Sequence, residues 1–292
     1  MENLQTLQTP QTHDKLLIID GSNLLFQMFF GMPSRIINKD GKAIQGTLGF
    51  VGALIKIIKM TVPTHVIILF DSETENERVE INADYKANRT DYSNVLEEEN
   101  PFSQIDDVYA ALDFMKIKHT EVKGVETDDV IASYTLTSGK TMQIVISSFD
   151  SDFFQLITKN VSVLRYRGDK TVICDEEYIM DKLGIIPSLY ADYKSLTGDA
   201  SDNIKGVRGI GSKTAAQLIN TFGDLKNILT NIDKFERMSV KEAIQAESER
   251  LQQNYKLIKL DNRAQIPFTV EELVYEYDGI TTTEVLKGIG LK

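Results

Sequence analysis

Four short apolar runs punctuate the first half of the chain, each bounded by polar residues. They are Leu16–Ile19, Val66–Phe70, His119–Val122 and Gln143–Ser147. Runs of this length, rich in β-branched residues and without polar alternation, are typical of strands buried on both faces of a sheet. We therefore predict that they are central strands of a parallel sheet.

The segments between these runs repeat their apolar residues at helical spacing. We predict helices over Leu48–Met60, Ile105–Lys116 and Asp128–Leu136. Strand alternating with helix indicates βαβ units, and hence an α/β fold with a mostly parallel central sheet flanked by helices.

The pattern changes in the second half. A weaker hairpin, Val161–Tyr166 with Thr171–Cys174, turns through Gly168–Asp169 and is expected to close one sheet edge. From Asp175 onward the pattern is almost wholly helical, which predicts a second, smaller domain beginning near Gly184–Pro187.

We therefore expect three regions: a flexible Gln/Thr-rich tail over 1–13, an α/β domain over 14–185 and a helical domain over 186–292. Within the α/β domain, Ser72–Pro101 is a highly charged excursion between a strand and the next helix. Irregular excursions of this length are usually functional or mobile.

Composition narrows the class of protein. The chain has 292 residues and is 42% hydrophobic, which suits a globular protein, and no window resembles a membrane span or signal peptide. A single cysteine, Cys174, fits a reducing compartment, so we expect a cytosolic protein. We also expect a monomer. The net charge of −11 argues against a polyanionic partner only if the carboxylates are spread evenly rather than clustered on metal ions.

Carboxylates follow every predicted strand. They are Asp20, Asp71, then Glu126, Asp128 and Asp129, and finally Asp150 and Asp152. The carboxyl ends of parallel strands line one crevice, so these side chains should converge. Any one aspartate at such a junction is most often a helix N-cap.

Seven converging carboxylates would repel one another unless cations neutralise them. Ligand sets made of oxygen alone suit Mg²⁺ or Mn²⁺, and this number of carboxylates implies two ions. Two such ions clamp the attacking and leaving oxygens in phosphoryl transfer, and phosphodiester hydrolysis fits best. Asp199 and Asp202 would join the cluster if their segment folds back.

The segment Gly206–Ile219 places glycines in a turn before a helix, without the spacing of a phosphate loop. A helical hairpin here would offer main-chain amides to a DNA phosphate, with contacts from Gly209, Gly211, Lys213 and Thr214. Lys205 and Arg208 nearby favour backbone contact. The alternative is an interhelical turn that needs glycine for its geometry alone.

The charged excursion carries Arg78, Lys86 and Arg89. Such charge runs are usually a solvated face. If the excursion overhangs the crevice, Lys86 and Arg89 would act on the scissile phosphate and Tyr85 would stack on a terminal base.

Six segments, in this order, resemble the 5′-nuclease family, which includes flap endonucleases, phage 5′ exonucleases and the 5′–3′ exonuclease domain of bacterial DNA polymerase I. They are LLIIDGSNLLFQMFF, ILFDSETENER, DYKANR, GVETDDVIA, SFDSDFFQL and LTGDASDNIKGVRGIGSKTA. The resemblance spans about Lys15 to Leu260 and is to a free-standing bacterial enzyme. It implies a PIN-like nuclease core, a helical arch at about 72–101 and a helix-hairpin-helix at about 202–221.

The resemblance also implies roles for particular residues. Asp20, Asp71, Glu126, Asp128 and Asp129 would build the first metal site, and Asp150, Asp152, Asp199 and Asp202 the second. Lys86 and Arg89 would clamp phosphate, Asp128 would be essential to catalysis, and Arg78 would contact DNA. Carbonyls of Leu196, Thr197, Val207 and Ile210 would hold a K⁺ at the hairpin.

The chain departs from the family pattern in places. Lys205 and Arg208 stand where prolines are usual, as does Thr90 after Arg89, and Ser148–Phe149 replaces a common Gly-Asp or Gly-Lys pair. The function expected is Mg²⁺-dependent 5′–3′ exonuclease or 5′-flap endonuclease activity on duplex DNA with a 5′ end. The alternatives are a metal-dependent RNA-cleaving nuclease of α/β architecture and a non-catalytic DNA-binding module.

Overall fold

A six-stranded sheet in the order β3-β2-β1-β4-β5-β6 lies at the centre of the computed structural model. The structure describes residues 14–72, 82, 84–88, 90, 92 and 95–292, so the predicted tail over 1–13 lies outside it. The strands are β1 (Lys15–Asp20), β2 (His65–Asp71), β3 (Lys118–Val122), β4 (Gln143–Ser147), β5 (Val161–Arg165) and β6 (Val172–Cys174). The first five strands pair in parallel and β6 closes the edge antiparallel to β5, as predicted.

The sheet is buried on both faces, which explains the continuous apolar runs. On β1, Leu16 and Ile18 belong to the core on one face, while Leu17 and Ile19 belong to the core on the other. This alternation follows from the two-residue period of a strand. The four predicted strands are confirmed, with ends that differ by at most one residue.

Helices cover the two faces. They are α1 (Gly21–Gly31), α2 (Gln45–Thr61), α3 (Ile105–Phe114), α4 (Thr127–Ser138), α5 (Glu176–Leu183), α6 (Tyr190–Thr197), α7 (Ser212–Phe222), α8 (Leu225–Thr230), α9 (Met238–Ala246), α10 (Ser248–Ile258) and α11 (Thr282–Gly288). Helix α1 was not predicted, because its apolar residues run almost without interruption and carry no clear period. In the part of the chain that the structure describes, no helix has the length and apolarity needed to cross a membrane.

Most helices of the second half pack on one face of the sheet, whereas Val285 of α11 belongs to the core on the other face, with Leu17 and Ile19. Residues of α7, α8 and α9 share a continuous core with β1 and β4. A short antiparallel hairpin of β7 (Gly198–Asp199) and β8 (Ile204–Lys205) interrupts these helices. The hairpin lies between α6 and α7 and returns the chain toward the carboxyl edge of the sheet.

Candidate metal and active site

The carboxyl ends of β1 and β4 lie side by side where the strand order reverses, the position at which open α/β sheets bind ligands. Asp20 ends β1, and Asp150 follows β4 by three residues. Ser148 connects them: its hydroxyl donates to Oδ2 of Asp20 at 2.8 Å and accepts from the Asp150 amide at 3.0 Å. Ser148 therefore fixes the spacing of two predicted metal ligands.

Asp20 combines two roles. Its Oδ1 accepts from the Asn23 amide at 3.0 Å, so it is the N-cap of α1. Its second oxygen points to Ser148 at the crevice. The capping and ligand interpretations of this residue are thus compatible.

A cleft of about 600 Å³ opens at this edge of the sheet. Its lining includes what we call the first carboxylate group: Asp20, Asp71, Glu126, Asp128 and Asp150. These residues come from the ends of four strands, so their convergence follows from the parallel topology.

Burial makes two members of the first carboxylate group, Asp20 and Asp128, costly to ionise. Burial, with the neighbouring Asp71 charge, raises the pKa of Asp20 to about 7. Burial and the Asp150 charge likewise hold the pKa of Asp128 well above its ordinary value. Bound cations reverse such shifts by stabilising the ionised form.

A second carboxylate group, Asp152, Asp199 and Asp202, lies alongside the first. Carboxylate oxygens of these three buried residues lie within 4.8 Å of one another. The Asp152 amide donates to Oδ1 of Asp150 at 2.7 Å, which joins the two groups.

The β7–β8 hairpin brings Asp199 and Asp202 to this position. At Gly198, where φ is +81°, an added Cβ would lie 2.3 Å from the Gly206 nitrogen. Glycine therefore permits both the backbone conformation and the close approach of the two strands. The segment therefore folds back and places Asp199 and Asp202 beside Asp152, as predicted for these residues to join the cluster.

Lys194 on α6, which the sequence analysis did not single out, lies inside the second carboxylate group. Its ammonium group donates to both Asp152 and Asp199. Burial raises the pKa of Asp152 to about 7 in spite of this lysine. At Asp199, Lys194 and Ser201 outweigh burial and lower the pKa.

Of the predicted excursion, Lys86 and Tyr85 are described, whereas Arg78, Arg89 and much of the predicted arch lie outside the described residues. The Lys86 ammonium group donates to Oε1 of Glu126 at 2.7 Å and lines the cleft. The base-stacking prediction for Tyr85 is wrong for this structure. The residue is 4% exposed, packs in an apolar cluster with Ile204 and Leu257, and its hydroxyl donates to Glu126.

Three other aromatic rings line the cleft instead. Phe26 lies 5.2 Å from the rings of both Tyr92 and Phe102, in edge-on geometry. They form an apolar wall beside the first carboxylate group.

The structure does not bring Asp129 into the cleft. Its Oδ1 accepts from the Asp261 amide at 2.9 Å. Asp129 is not among the described residues that line the cleft. Its place in the first metal site stays a prediction.

At the glycine turn, Gly209, Gly211 and Lys213 are exposed, and Thr214 is half-buried in the first turn of α7. The φ of Gly209 is +86°, which requires glycine. Among the carbonyls predicted to hold K⁺, that of Leu196 accepts from the Val207 amide and that of Val207 from the Ile210 amide. Thr197 ends α6, and its carbonyl lies beside Gly206.

The donor set fits divalent cations. Both groups offer only carboxylate oxygens, the preference of Mg²⁺ and Mn²⁺, and both contain aspartates whose pKa is raised by burial. The fold and site together define a class: α/β nucleases that act on phosphodiesters at a carboxylate cluster.

Comparison with known proteins identifies the family. Residues 15–184 match the model of the 5′-3′ exonuclease, N-terminal resolvase-like domain, and residues 185–279 that of the 5′-3′ exonuclease, C-terminal SAM fold. The chain belongs to the 5′–3′ exonuclease family.

Two individual relatives are consistent with this family assignment. A 5′-3′ exonuclease of Aquifex aeolicus is 33% identical over 259 residues, which cover 88% of this chain and 86% of the relative. DNA polymerase I of Streptococcus pneumoniae is 32% identical over 267 residues, which cover 89% of this chain but 30% of the polymerase.

The bacteriophage T5 flap endonuclease, solved with DNA and metal ions, superposes with a TM-score of 0.69 at 22% identity, covering 94% of this chain and 93% of the other. At this identity the likeness supports the fold, and the predicted fold class is confirmed.

Proposed function

We propose that this protein hydrolyses DNA phosphodiesters at or near a 5′ end, in a reaction that depends on Mg²⁺ or Mn²⁺. The observation that carries the proposal is the pair of adjoining carboxylate groups at the switch point of the sheet. The Aquifex relative is a 5′-3′ exonuclease, and the T5 relative was solved with both DNA and metal ions.

Each carboxylate group would hold one divalent ion. Asp20, Asp71, Glu126 and Asp128 would contribute to one site, Asp152, Asp199 and Asp202 to the other, and Asp150 lies between them. When bound, two such ions supply an activated water and stabilise the leaving oxygen. Ser148 holds Asp20 and Asp150 in place.

The remaining groups orient the substrate. Lys86 lies in the cleft, where its charge would act on the scissile phosphate, as would that of Arg89. The rings of Phe26, Tyr92 and Phe102 line the same cleft, where a base beside that phosphate would pack against them.

The glycine turn would grip duplex backbone away from the chemistry. Exposed main-chain amides at Gly209 and Gly211, with Lys213, suit phosphate oxygens. A K⁺ held by carbonyls of Leu196, Thr197, Val207 and Ile210 would strengthen this contact.

The test is a panel of 5′-labelled substrates in Mg²⁺. DNA with a 5′ flap or a recessed 5′ end should be cut near its 5′ terminus, because the cleft and the turn together require both an end and adjoining duplex. RNA of the same sequence should largely survive, as should an internally labelled closed circle of DNA. Faster cutting of RNA would contradict the proposal and favour an RNA-cleaving nuclease, and binding without divalent-dependent turnover would favour a DNA-binding module.

A further inference from the structure

Lys194 occupies an unusual position for a lysine. The residue is 6% exposed, and its ammonium group contacts carboxylates of two of the three members of the second carboxylate group. Its third neighbour is the ring of Tyr190, whose centroid lies 5.9 Å away. A buried ammonium group is tolerated only where opposite charges compensate the lost hydration.

The third member of the group lies within the same small volume. Asp202 has a carboxylate oxygen within 4.8 Å of oxygens of both Asp152 and Asp199. A Mg²⁺ ion that used these oxygens would need them at about 2.0 to 2.1 Å. The ammonium group and a divalent ion would therefore compete for the Asp152 and Asp199 oxygens and repel each other.

The first carboxylate group differs in this respect. Its lysine, Lys86, is ion-paired to one of its five members, Glu126, and comes from a segment remote from that residue in sequence. Lys194 instead contacts two of the three members of the second group and lies on the helix that leads directly into Asp199. A charge fixed on that helix is present whenever the second carboxylate group is assembled.

We infer that Lys194 is a built-in cation that holds the second carboxylate group together in the DNA-free protein and competes with the second divalent ion. The inference rests on the proposed two-metal function and assigns a role to a residue outside the ligand set. The first site should therefore fill before the second.

The experiment counts Mn²⁺ ions bound per chain in the absence of DNA, by electron paramagnetic resonance of the free ion. Wild type should bind one ion tightly and a second weakly. Lys194→Met keeps the length of the side chain but removes its charge. This variant should bind the second ion at least about tenfold more tightly, because the electrostatic repulsion from a unit charge about 4 Å away corresponds to more than a tenfold change in affinity at protein dielectric constants. Lys182→Met, which removes an exposed ammonium group bound to the Tyr178 hydroxyl, should leave both affinities unchanged.

Thermal melts provide a readout that does not depend on counting bound Mn²⁺ ions. Without its lysine, the second group holds uncompensated carboxylates, so Lys194→Met should melt lower than wild type in EDTA and gain more from Mn²⁺. Adding Asp199→Asn to Lys194→Met should remove the tightened ion. If Lys194→Met is too unstable to isolate in EDTA, Lys194→Gln purified in Mn²⁺ provides the same titration.

The possible results distinguish the role of Lys194 from the proposed two-metal function. Two equally tight ions in wild type, or equal second-ion affinity in wild type and Lys194→Met, would overturn the role of Lys194 while leaving the two-metal function intact. No second ion in any variant would overturn both.

Discussion

Lys86 shows how one side chain is placed against its backbone preference. Its φ is +56°, a left-handed conformation that costs a residue with a Cβ about 1 to 2 kcal/mol. The amide of Lys86 donates to the carbonyl of Asp202 at 3.1 Å, and the ammonium group reaches Glu126. The surrounding contacts therefore hold a strained residue where its charge faces the cleft.

Lys86→Ala should lower the single-turnover cleavage rate of flap DNA about 100-fold while duplex affinity changes little, because the charge acts on the transition state. Lys213→Ala should do the reverse, weakening duplex binding and reducing its salt slope by about one. Stopped-flow cleavage and fluorescence anisotropy across a salt series would measure both. Loss of binding alone in both variants would contradict the assignment of Lys86.

The convergence of the first carboxylate group could be predicted from the sequence because strand ends converge in any parallel sheet. Ser148 and Lys194 could not, because their roles depend on contacts with Asp20 and Asp152 that are remote in sequence. Tyr85 was misjudged for a related reason. Charged neighbours indicated an exposed residue, yet its ring finds an apolar cluster formed by the second half of the chain.

At the scale of elements, the segment over 84–88 docks on the loop that carries Asp199 and Asp202. The side-chain amide of Asn203 donates to the Asp84 carbonyl at 2.9 Å, and that of Asn88 donates to the Ala200 carbonyl at 3.1 Å. The Lys86 amide adds a third hydrogen bond, to the Asp202 carbonyl. Together the three hydrogen bonds connect the base of the predicted arch to the loop that carries the second carboxylate group.

Asn203→Gly tests this connection, because glycine keeps the left-handed backbone, with φ of +58°, and removes only the side-chain amide. Losing one hydrogen bond that positions Lys86 should slow cleavage by about five- to tenfold. In a Lys86→Ala background the same change should have almost no effect, since the group it positions is gone. Equal losses in both backgrounds, measured by single-turnover kinetics, would show that Asn203 acts independently of Lys86.

Element prediction succeeded where periodicity was clear. The strands and helix α2 lie within three residues of expectation, whereas α1 was not predicted. The β7–β8 hairpin was also not predicted, because two-residue strands carry no pattern. The close approach of Gly198 to Gly206 in this hairpin depends on tertiary structure and not on the local sequence pattern.

For the whole molecule, the buried carboxylates link stability to pH and metal. The pKa values of Asp20 and Asp152 are raised to about 7, so their contribution to stability is full below about pH 4 and is lost as pH rises through 7. Divalent ions bind the ionised form, so they should oppose this loss.

We therefore expect the melting temperature in EDTA to fall further below the melting temperature in millimolar Mg²⁺ as the pH rises from 5 to 8. The stabilisation by Mg²⁺ should be small at pH 5 and largest at pH 8. Differential scanning fluorimetry over this pH range would measure the stabilisation by Mg²⁺. The control variant Asp233→Asn removes an exposed carboxylate outside the site and should show the same stabilisation as wild type. An effect of Mg²⁺ that did not grow with pH would count against a convergent carboxylate site.

The central claim is that these carboxylates hold the divalent ions that drive hydrolysis at a DNA 5′ end. The most direct measurement is single-turnover cleavage of 5′-labelled flap DNA by wild type and Asp128→Ala over a Mg²⁺ series, with duplex affinity measured separately. Wild type should be inactive in EDTA, and Asp128→Ala should be at least about 1,000-fold slower at every Mg²⁺ concentration, since ligand loss removes several kcal/mol of transition-state stabilisation. Its duplex affinity should be largely retained, because the described lining of the cleft that holds Asp128 includes no residue of the glycine turn. Cleavage by wild type in EDTA, or undiminished cleavage by Asp128→Ala, would contradict the account.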